Sequence, residues 1–275
     1  MEEKLDDPTA SPISLPFEFL KDITDNFSNE QELGKGGYGV VYKGVLPSGK
    51  IIAVKKLFEM HLVDEEQFHK EVTNLVGIKH ENIVRLVGYC AESRWEAIKL
   101  PNGNNVMAQI PTWLLCFEYL PNNSLQKYVS DECSGLHWKK RYEIIKGVCS
   151  GLHFLHQECH IVHLDLKPEN ILMDTTMMPK IADFGLQLYV NADVYKISNY
   201  SFPCSGYMAP EYLLEGVVSP KADVFSLGKI FMEIVTGQRD CPLTSVSAFL
   251  KLNANHNPNS MEISLEEYMD NVSAI

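Results

Sequence analysis

The sequence predicts an α+β fold in two lobes, a small β-rich lobe with one key helix followed by a mainly helical lobe. Three observations carry that prediction. Between Gly34 and Lys56 the residues alternate as strands do: GKGGYGVVYKG runs into a turn at Pro47, Ser48 and Gly49, and KIIAVKKL follows. From Val63 to Val76, Phe68, Val72, Leu75 and Val76 recur at helical spacing with charges on the opposite face. After the turn residues PNNSL the pattern becomes helical, first over Leu125 to Val129. It continues from Trp138 to Leu155, where Ile144, Ile145, Val148, Leu152 and Leu155 fall on one face.

The remaining segments take their places around these. Residues 1–33 form a lead-in, expected to be flexible over its first part, where Pro8, Pro12 and Pro16 stand among polar residues. The small lobe covers residues 34–120. Its sheet is completed by two strand-like runs, NIVRLVGYC and TWLLCFEYL, joined by an unusually long loop through Pro101, Asn102, Gly103, Asn104 and Asn105. The helical lobe covers residues 121–240. Residues 241–275 form a divergent polar tail, rich in Asn, in which SLEE at Ser264 is a capping-box start for a short helix. No internal repeat is present.

At 275 residues, 45% hydrophobic and 22% charged, the composition is that of a globular chain with a sizeable core. A net charge of -12 argues against a nucleic-acid partner or a broad anionic-membrane footprint, since both need a basic surface. Any phosphate site must be local. No apolar run reaches the roughly 18–20 residues of a bilayer crossing, and the opening MEEKLDD is unlike a signal peptide, so the expected location is cytoplasmic, with no transmembrane segment in this chain. The seven cysteines are scattered, without a C-x-x-C pair, and are expected to be reduced thiols.

Gly34, Gly36 and Gly39, followed by Val41, have the G-x-G-x-x-G-x-V spacing between two strands, where missing side chains let backbone N–H groups approach phosphates. A glycine-rich hairpin alone more often marks an ordinary turn. On the next strand Lys55, in Ala53-Val54-Lys55, reaches for the α- and β-phosphates, and Glu71 on the following helix is placed to pair with it. Downstream, His163-Leu-Asp165-Leu-Lys167-Pro-Glu-Asn170 offers a carboxylate for a substrate hydroxyl, a lysine for the phosphoryl group in transfer and an amide oxygen for Mg2+. Asp183-Phe-Gly185 adds a hard oxygen ligand for Mg2+, and Ala209-Pro-Glu211 closes the segment. Each piece has a bland reading as a solvated side chain, but five in this order leave coincidence no weight.

Over residues 17 to about 240 the chain resembles the eukaryotic protein-kinase family. The stretches FEFLKDITDNFSNEQELGKGGYGVVYKG and GYMAPEYL resemble plant receptor-like kinases, of the cysteine-rich receptor-like or receptor-like cytoplasmic type. The resemblance implies a two-lobed kinase fold and an ATP- and Mg2+-dependent transfer of phosphate to Ser/Thr hydroxyls of a protein substrate, in plant receptor-linked, immune-associated signalling. It implies that a membrane receptor complex is a partner, reached at the inner face of the plasma membrane. It places Val41, Ala53 and Leu172 around adenine, backbone hydrogen bonds at Glu118 and Leu120, and Phe117 at the gatekeeper position. It makes Leu75, Leu86, His163 and Phe184 a stacked regulatory set, with Asp223 anchoring the catalytic loop.

Four departures from the family pattern stand out. Leu164 replaces an arginine that would receive an activation-loop phosphate, which makes this a non-RD kinase by resemblance and leaves Ser198, Tyr200, Ser201 and Ser205 without that acceptor. Cys204 stands where the family shows Ser or Thr. After DVFSLGKIFMEIVTGQRD the family's further helices are expected to be missing, so the helical lobe reads as truncated. With them goes the family's late arginine, the partner expected for Glu211. These departures keep open an alternative reading, a truncated kinase-like module that holds nucleotide or a partner and transfers little phosphate.

Overall fold

The computed structural model describes residues 2–7, 9–37, 39–58, 65–99, 103–129, 136–184 and 206–237. The chain divides into two units, Met1–Lys79 with Val84–Tyr119, and His80–Ile83 with Leu120–Ile275. The first is rich in strand and the second mainly helical among the described residues, an α+β arrangement as expected.

The first unit is built on a six-stranded sheet of β1 (Ile13–Ser14), β2 (Glu32–Lys35), β3 (Gly39–Val45), β4 (Ile51–Leu57), β5 (Leu86–Lys99) and β6 (Asn105–Glu118). Their spatial order is β1-β5-β6-β4-β3-β2. All neighbours are antiparallel except β1, which runs parallel to β5. Side chains alternate between faces and cross-strand partners share a face. The register Val41↔Lys55↔Leu115 and Lys43↔Ala53↔Phe117 therefore puts these residues on one side. Ile52, Val54, Leu114 and Cys116 lie on the other, in a core with Leu5, Leu15, Phe17, Leu20 and Ile23.

That core corrects one expectation. The lead-in is not a flexible segment: α1 (Glu2–Asp6), β1 and α2 (Phe17–Ile23) cover the sheet, and Leu5 and Leu15 are each 1% exposed. Two such leucines bring roughly 1.5–3 kcal/mol each of burial, one part of what offsets the chain entropy of ordering the segment. A second correction concerns the long loop. Strand pairing continues to Lys99↔Asn105, so β5 and β6 form a hairpin of two 14-residue strands in place of two short strands and a long loop. The helix expected from Val63 is α3 (Glu65–Val76), held by Phe68 stacked on Trp113 at 4.7 Å between centroids.

In the second unit, α4 (Gln126–Val129) and α5 (Trp138–Gln157) match the expected helical runs. The strands β7 (Ile171–Met173) and β8 (Pro179–Ile181) form a short hairpin, and α6 (Pro210–Glu215) and α7 (Pro220–Thr236) follow. Residues 80–83 belong here because Asn82 bonds both ends of β8: its Nδ2 donates to Pro179 O at 2.9 Å and its carbonyl accepts from Ile181 N at 2.8 Å. Gly151 lets α5 come close, since a Cβ there would lie 2.8 Å from Asn82 O. Arg141 of α5 donates through Nη1 to Ile234 O and Val235 O, satisfying carbonyls that the end of α7 leaves without helical partners.

Among the described residues no helix is long and apolar enough to cross a membrane. Burial pushes the thiol of Cys90 up to about 12 and that of Cys116 higher still, so neither is a ready nucleophile, and Cys90, Cys116, Cys149 and Cys159 are all free thiols. Gly185 to Ser205, which include Cys204 and the loop hydroxyls, lie outside the described residues, as does the tail with Phe249, Leu250, Leu252 and Ser264.

Candidate active site

In the first unit the candidate residues come from four neighbouring strands, β2, β3, β4 and β6, and from α3. Gly34 pairs with Val41 across β2 and β3, and Gly36 N donates to Gly39 O at 3.0 Å, closing the glycine turn. The three glycines differ in what requires them. A Cβ on Gly39 would sit 2.2 Å from Lys56 O, so the fold itself excludes any other residue there. A Cβ on Gly34 or Gly36 would meet nothing within 4 Å, and neither has positive φ, so neither packing nor backbone conformation accounts for them. Open space above backbone N–H groups is what an approaching phosphate needs.

Lys55 is 2% exposed, between the cross-strand neighbours Val41 and Leu115. Ala53 lies beside Phe117 on the same face. Glu71 is on α3, but its expected pairing with Lys55 involves a side chain outside the described residues. At the end of β6, Glu118 N donates to Arg85 O at 3.0 Å, so an adenine contact at Glu118 falls to its carbonyl. Leu75 and Leu86 are buried in this unit.

The second unit holds the residues suited to chemistry, and here local sequence fixes the geometry. Asp165 Oδ2 accepts from Lys167 Nζ at 2.7 Å and from Asn170 Nδ2 at 3.2 Å. Asn170 Nδ2 also donates to Asp165 O at 2.8 Å, which occupies the amide nitrogen and leaves the amide oxygen as the atom suited to a metal. Pro168–Asn170 is a 3-10 turn opened by its proline, and it brings positions 165, 167 and 170 to one point.

From Asn170 the connection runs to Asp183. Ala182 N donates to Asn170 O at 2.8 Å, and Ala182 O lies 2.9 Å from His163 Nε2. Asp183 follows with φ of 59°, a left-handed conformation that costs a non-glycine residue energy and is characteristic of functional positions. The donor set of one carboxylate and one amide oxygen, with Lys167 for a phosphate oxygen, suits Mg2+ bound to a nucleotide. Leu172 lies half-buried on β7, bridged to Ser124, and His163 and Phe184 are buried in this unit.

Beneath this point Asp223, fully buried on α7, accepts from His163 N at 2.6 Å and Leu164 N at 2.7 Å, and from His156 Nε2 at 2.8 Å. Such an array holds Leu164 at φ 63°. Sequence reasoning missed His156. The available signal was a histidine four residues after Leu152, on an otherwise apolar stripe of α5.

Leu164 itself turns inward and is 6% exposed, packed with Ala209 and Ala222 against Val162 and Tyr212. The departure at this position is thus a gain of core. Leu164→Arg is expected to lower stability by roughly 3–5 kcal/mol, the cost of an unpaired charge forced into an apolar cluster. Denaturant unfolding of the purified variant measures it, and an unchanged midpoint would show that this position opens to solvent.

Comparison with known proteins agrees with this geometry. A family model described as "Protein kinase domain" matches residues 27–274, the polar tail included. The chain is 39% identical over 238 residues to the Arabidopsis thaliana "Cysteine-rich receptor-like protein kinase 44", covering 84% of this chain and 58% of that protein. It is 39% identical over 252 residues to "Cysteine-rich receptor-like protein kinase 26", covering 89% of this chain and 35% of the relative. With "Receptor-like serine/threonine-protein kinase SD1-7" it shares 39% over 231 residues, 82% of this chain and 25% of the relative; both proteins are also from Arabidopsis thaliana. The chain therefore spans a quarter to somewhat over half the length of these relatives. With a family match across nearly all of its length and the aspartate, lysine and asparagine meeting at one point, the chain belongs to the protein kinase family and is similar to the receptor-like kinases of plants.

Proposed function

We propose that this protein transfers the γ-phosphate of ATP to serine or threonine hydroxyls of a protein substrate, as part of receptor-linked, immune-associated signalling in a plant. The observation that carries the reading is the meeting of Asp165, Lys167 and Asn170, anchored through Asp223. Asp165 Oδ2 orients the substrate hydroxyl and takes its proton as the oxygen attacks phosphorus. Lys167, already bonded to that carboxylate, neutralises charge on the phosphoryl oxygens. Lys55 holds the α- and β-phosphates, with Glu71 as its partner, while Gly34, Gly36 and Gly39 bring backbone N–H groups over the triphosphate.

Asn170 and Asp183 would hold Mg2+, which when bound would screen the phosphate charges that repel the incoming oxygen. Val41, Ala53 and Leu172 enclose adenine, Phe117 limits the depth of its pocket, and Glu118 and Leu120 read its edge. The lobes are proposed to span residues 34–120 and 121–240. The serine/threonine-protein kinase among the relatives supports Ser/Thr as acceptor, and their receptor-like names support a receptor complex as partner, which we place at the inner face of the plasma membrane.

Transfer of radiolabelled γ-phosphate to a generic protein substrate is the test. Asp165→Ala is expected to reduce it by about 10²–10⁴-fold, the usual worth of a positioned general base. A thermal-shift titration with MgATP run alongside separates a nucleotide-holding module without transfer from a chain that binds no nucleotide. Equal transfer by wild type and Asp165→Ala would overturn the assignment.

A further inference from the structure

The lead-in is connected, through one residue, to the strand end that would read adenine. Arg85 N donates to Glu118 Oε1 at 2.9 Å, and Glu118 N donates back to Arg85 O at 3.0 Å. The same arginine extends Nη1 to Asp7 O at 3.1 Å. Neighbouring contacts fix the lead-in where Arg85 meets it. Lys79 Nζ donates to Thr9 O at 2.7 Å, and Asp7 Oδ1 accepts from Thr9 N at 2.8 Å and Thr9 Oγ1 at 2.6 Å, closing a turn at the point of contact. Those bonds hold the Asp7 carboxyl below its ordinary range.

Downstream, β1 pairs with Gly88 and Tyr89, and Leu15 N donates to Tyr89 O at 2.8 Å. The strand is shaped for this approach, because a Cβ on Gly88 would lie 2.7 Å from Leu15 Cδ1 and 3.0 Å from Ile13 O. This is also where the regular ladder falters. The β5–β6 register shifts between Leu86↔Phe117 and Gly88↔Cys116, so the last residues of β6 have an irregular partner strand. On the β4 side they keep regular partners, Ile52↔Glu118 and Ala53↔Phe117, and on the β5 side the reciprocal bonds of Arg85 and Glu118 take the place of the broken register.

We propose that residues 2–15 act as a positioning strap which, through Arg85, fixes Glu118 and so sets the affinity of the chain for the adenine of ATP. The proposal rests on the reading of Glu118 as an adenine contact. It makes Arg85 a positioning residue, acting through Glu118 without touching nucleotide, and it predicts a change in nucleotide affinity with little change in the chemical step.

The experiment compares the full chain with Arg85→Ala, with a chain lacking residues 2–9, and with the two changes combined. Arg85→Ala leaves the two bonds that the Arg85 backbone makes to Glu118, one to its N–H and one to its Oε1, and removes the link to Asp7 O, so it keeps the test valid even if the deletion fails to fold. Calorimetric Kd for MgADP is expected to rise about fivefold in each, the worth of one hydrogen bond of about 1 kcal/mol. The combined variant is expected to match the deletion alone, because both act through one contact. The KM for ATP rises in step, kcat at saturating ATP stays within twofold of wild type, and inorganic triphosphate, which lacks adenine, binds all variants alike. Hydrogen exchange of the peptide covering residues 115–120 quickens in the variants.

Lowered melting temperature with unchanged Kd would reduce the strap to a structural element and overturn the proposal. Additive losses in the combined variant would overturn the route through Arg85. A wild-type chain that bound no MgADP would overturn the kinase reading and this one together, whereas nucleotide binding that ignored the lead-in would overturn this one alone.

Discussion

Replacement of Lys55 by methionine is expected to cut phosphate transfer by about 10²–10³-fold, the range seen when one preorganised electrostatic group is removed, while the protein still melts as a folded unit. Lys55 is 2% exposed, on the sheet face it shares with Val41, Ala53, Leu115 and Phe117. A cation in such surroundings is costly for a fold to keep, and methionine fills a similar volume with an unbranched apolar chain. If the ammonium serves phosphate, its loss shows in transfer and in affinity for MgATP. If it serves only an ion pair of the fold, its loss shows in the melting temperature. Parallel measurement of both decides the matter, and unchanged turnover would remove Lys55 from the site.

The contrast between what could and could not be read from sequence follows from the range of the interactions. Asp165, Lys167 and Asn170 meet within one turn, so their spacing alone encoded the geometry, with Pro168 marking the turn. The strands around Gly34 to Lys56 were legible for the same reason, since each side of a buried sheet writes a period of two. The helical runs of α3 and α5 carry one-sided apolar stripes and could be read in the same way.

The lead-in carries no such period. Leu5 and Leu15 are isolated apolar residues among polar ones, and β1 is two residues long, paired with a strand some seventy-five positions away. Nothing local reports that contact. The outer part of the β5–β6 hairpin escaped notice for a related reason. Its residues face water on both sides, Trp95 and Met107 being 66% and 60% exposed on one face and Ile98 and Val106 38% and 40% on the other, so no burial imposes an alternating pattern on its sequence. His156 and Arg85 were missed because each acts through a partner distant in sequence, Asp223 and Asp7 respectively.

Asp223→Asn is expected to cost roughly 3–5 kcal/mol of stability and to lower transfer beyond what that loss of folded protein explains. The carboxylate is 0% exposed and acts only as an acceptor. Two backbone N–H groups, from His163 and Leu164, and His156 Nε2 all point at its two oxygens. An amide of the same shape offers one oxygen and one NH2, so at least one buried donor would face another donor. His156 has no alternative nearby: its Nδ1 is already buried without a partner among the described residues. The chemical consequence follows from Leu164, which sits at φ 63° because its N–H is held, and which immediately precedes Asp165. Once that N–H is released, the strained residue relaxes and Asp165 moves away from Lys167 and Asn170. At a few degrees per kcal/mol the melting temperature should fall by roughly 6–20 °C. Transfer measured well below the new melting point, per mole of folded protein, should fall by at least about tenfold, as misplacement of a catalytic group does. His156→Phe, which removes one bond and leaves both backbone donors served, should reproduce part of the stability loss with a smaller effect on rate. Full activity in folded Asp223→Asn would show that the turn from His163 to Asn170 holds its shape without the carboxylate beneath it.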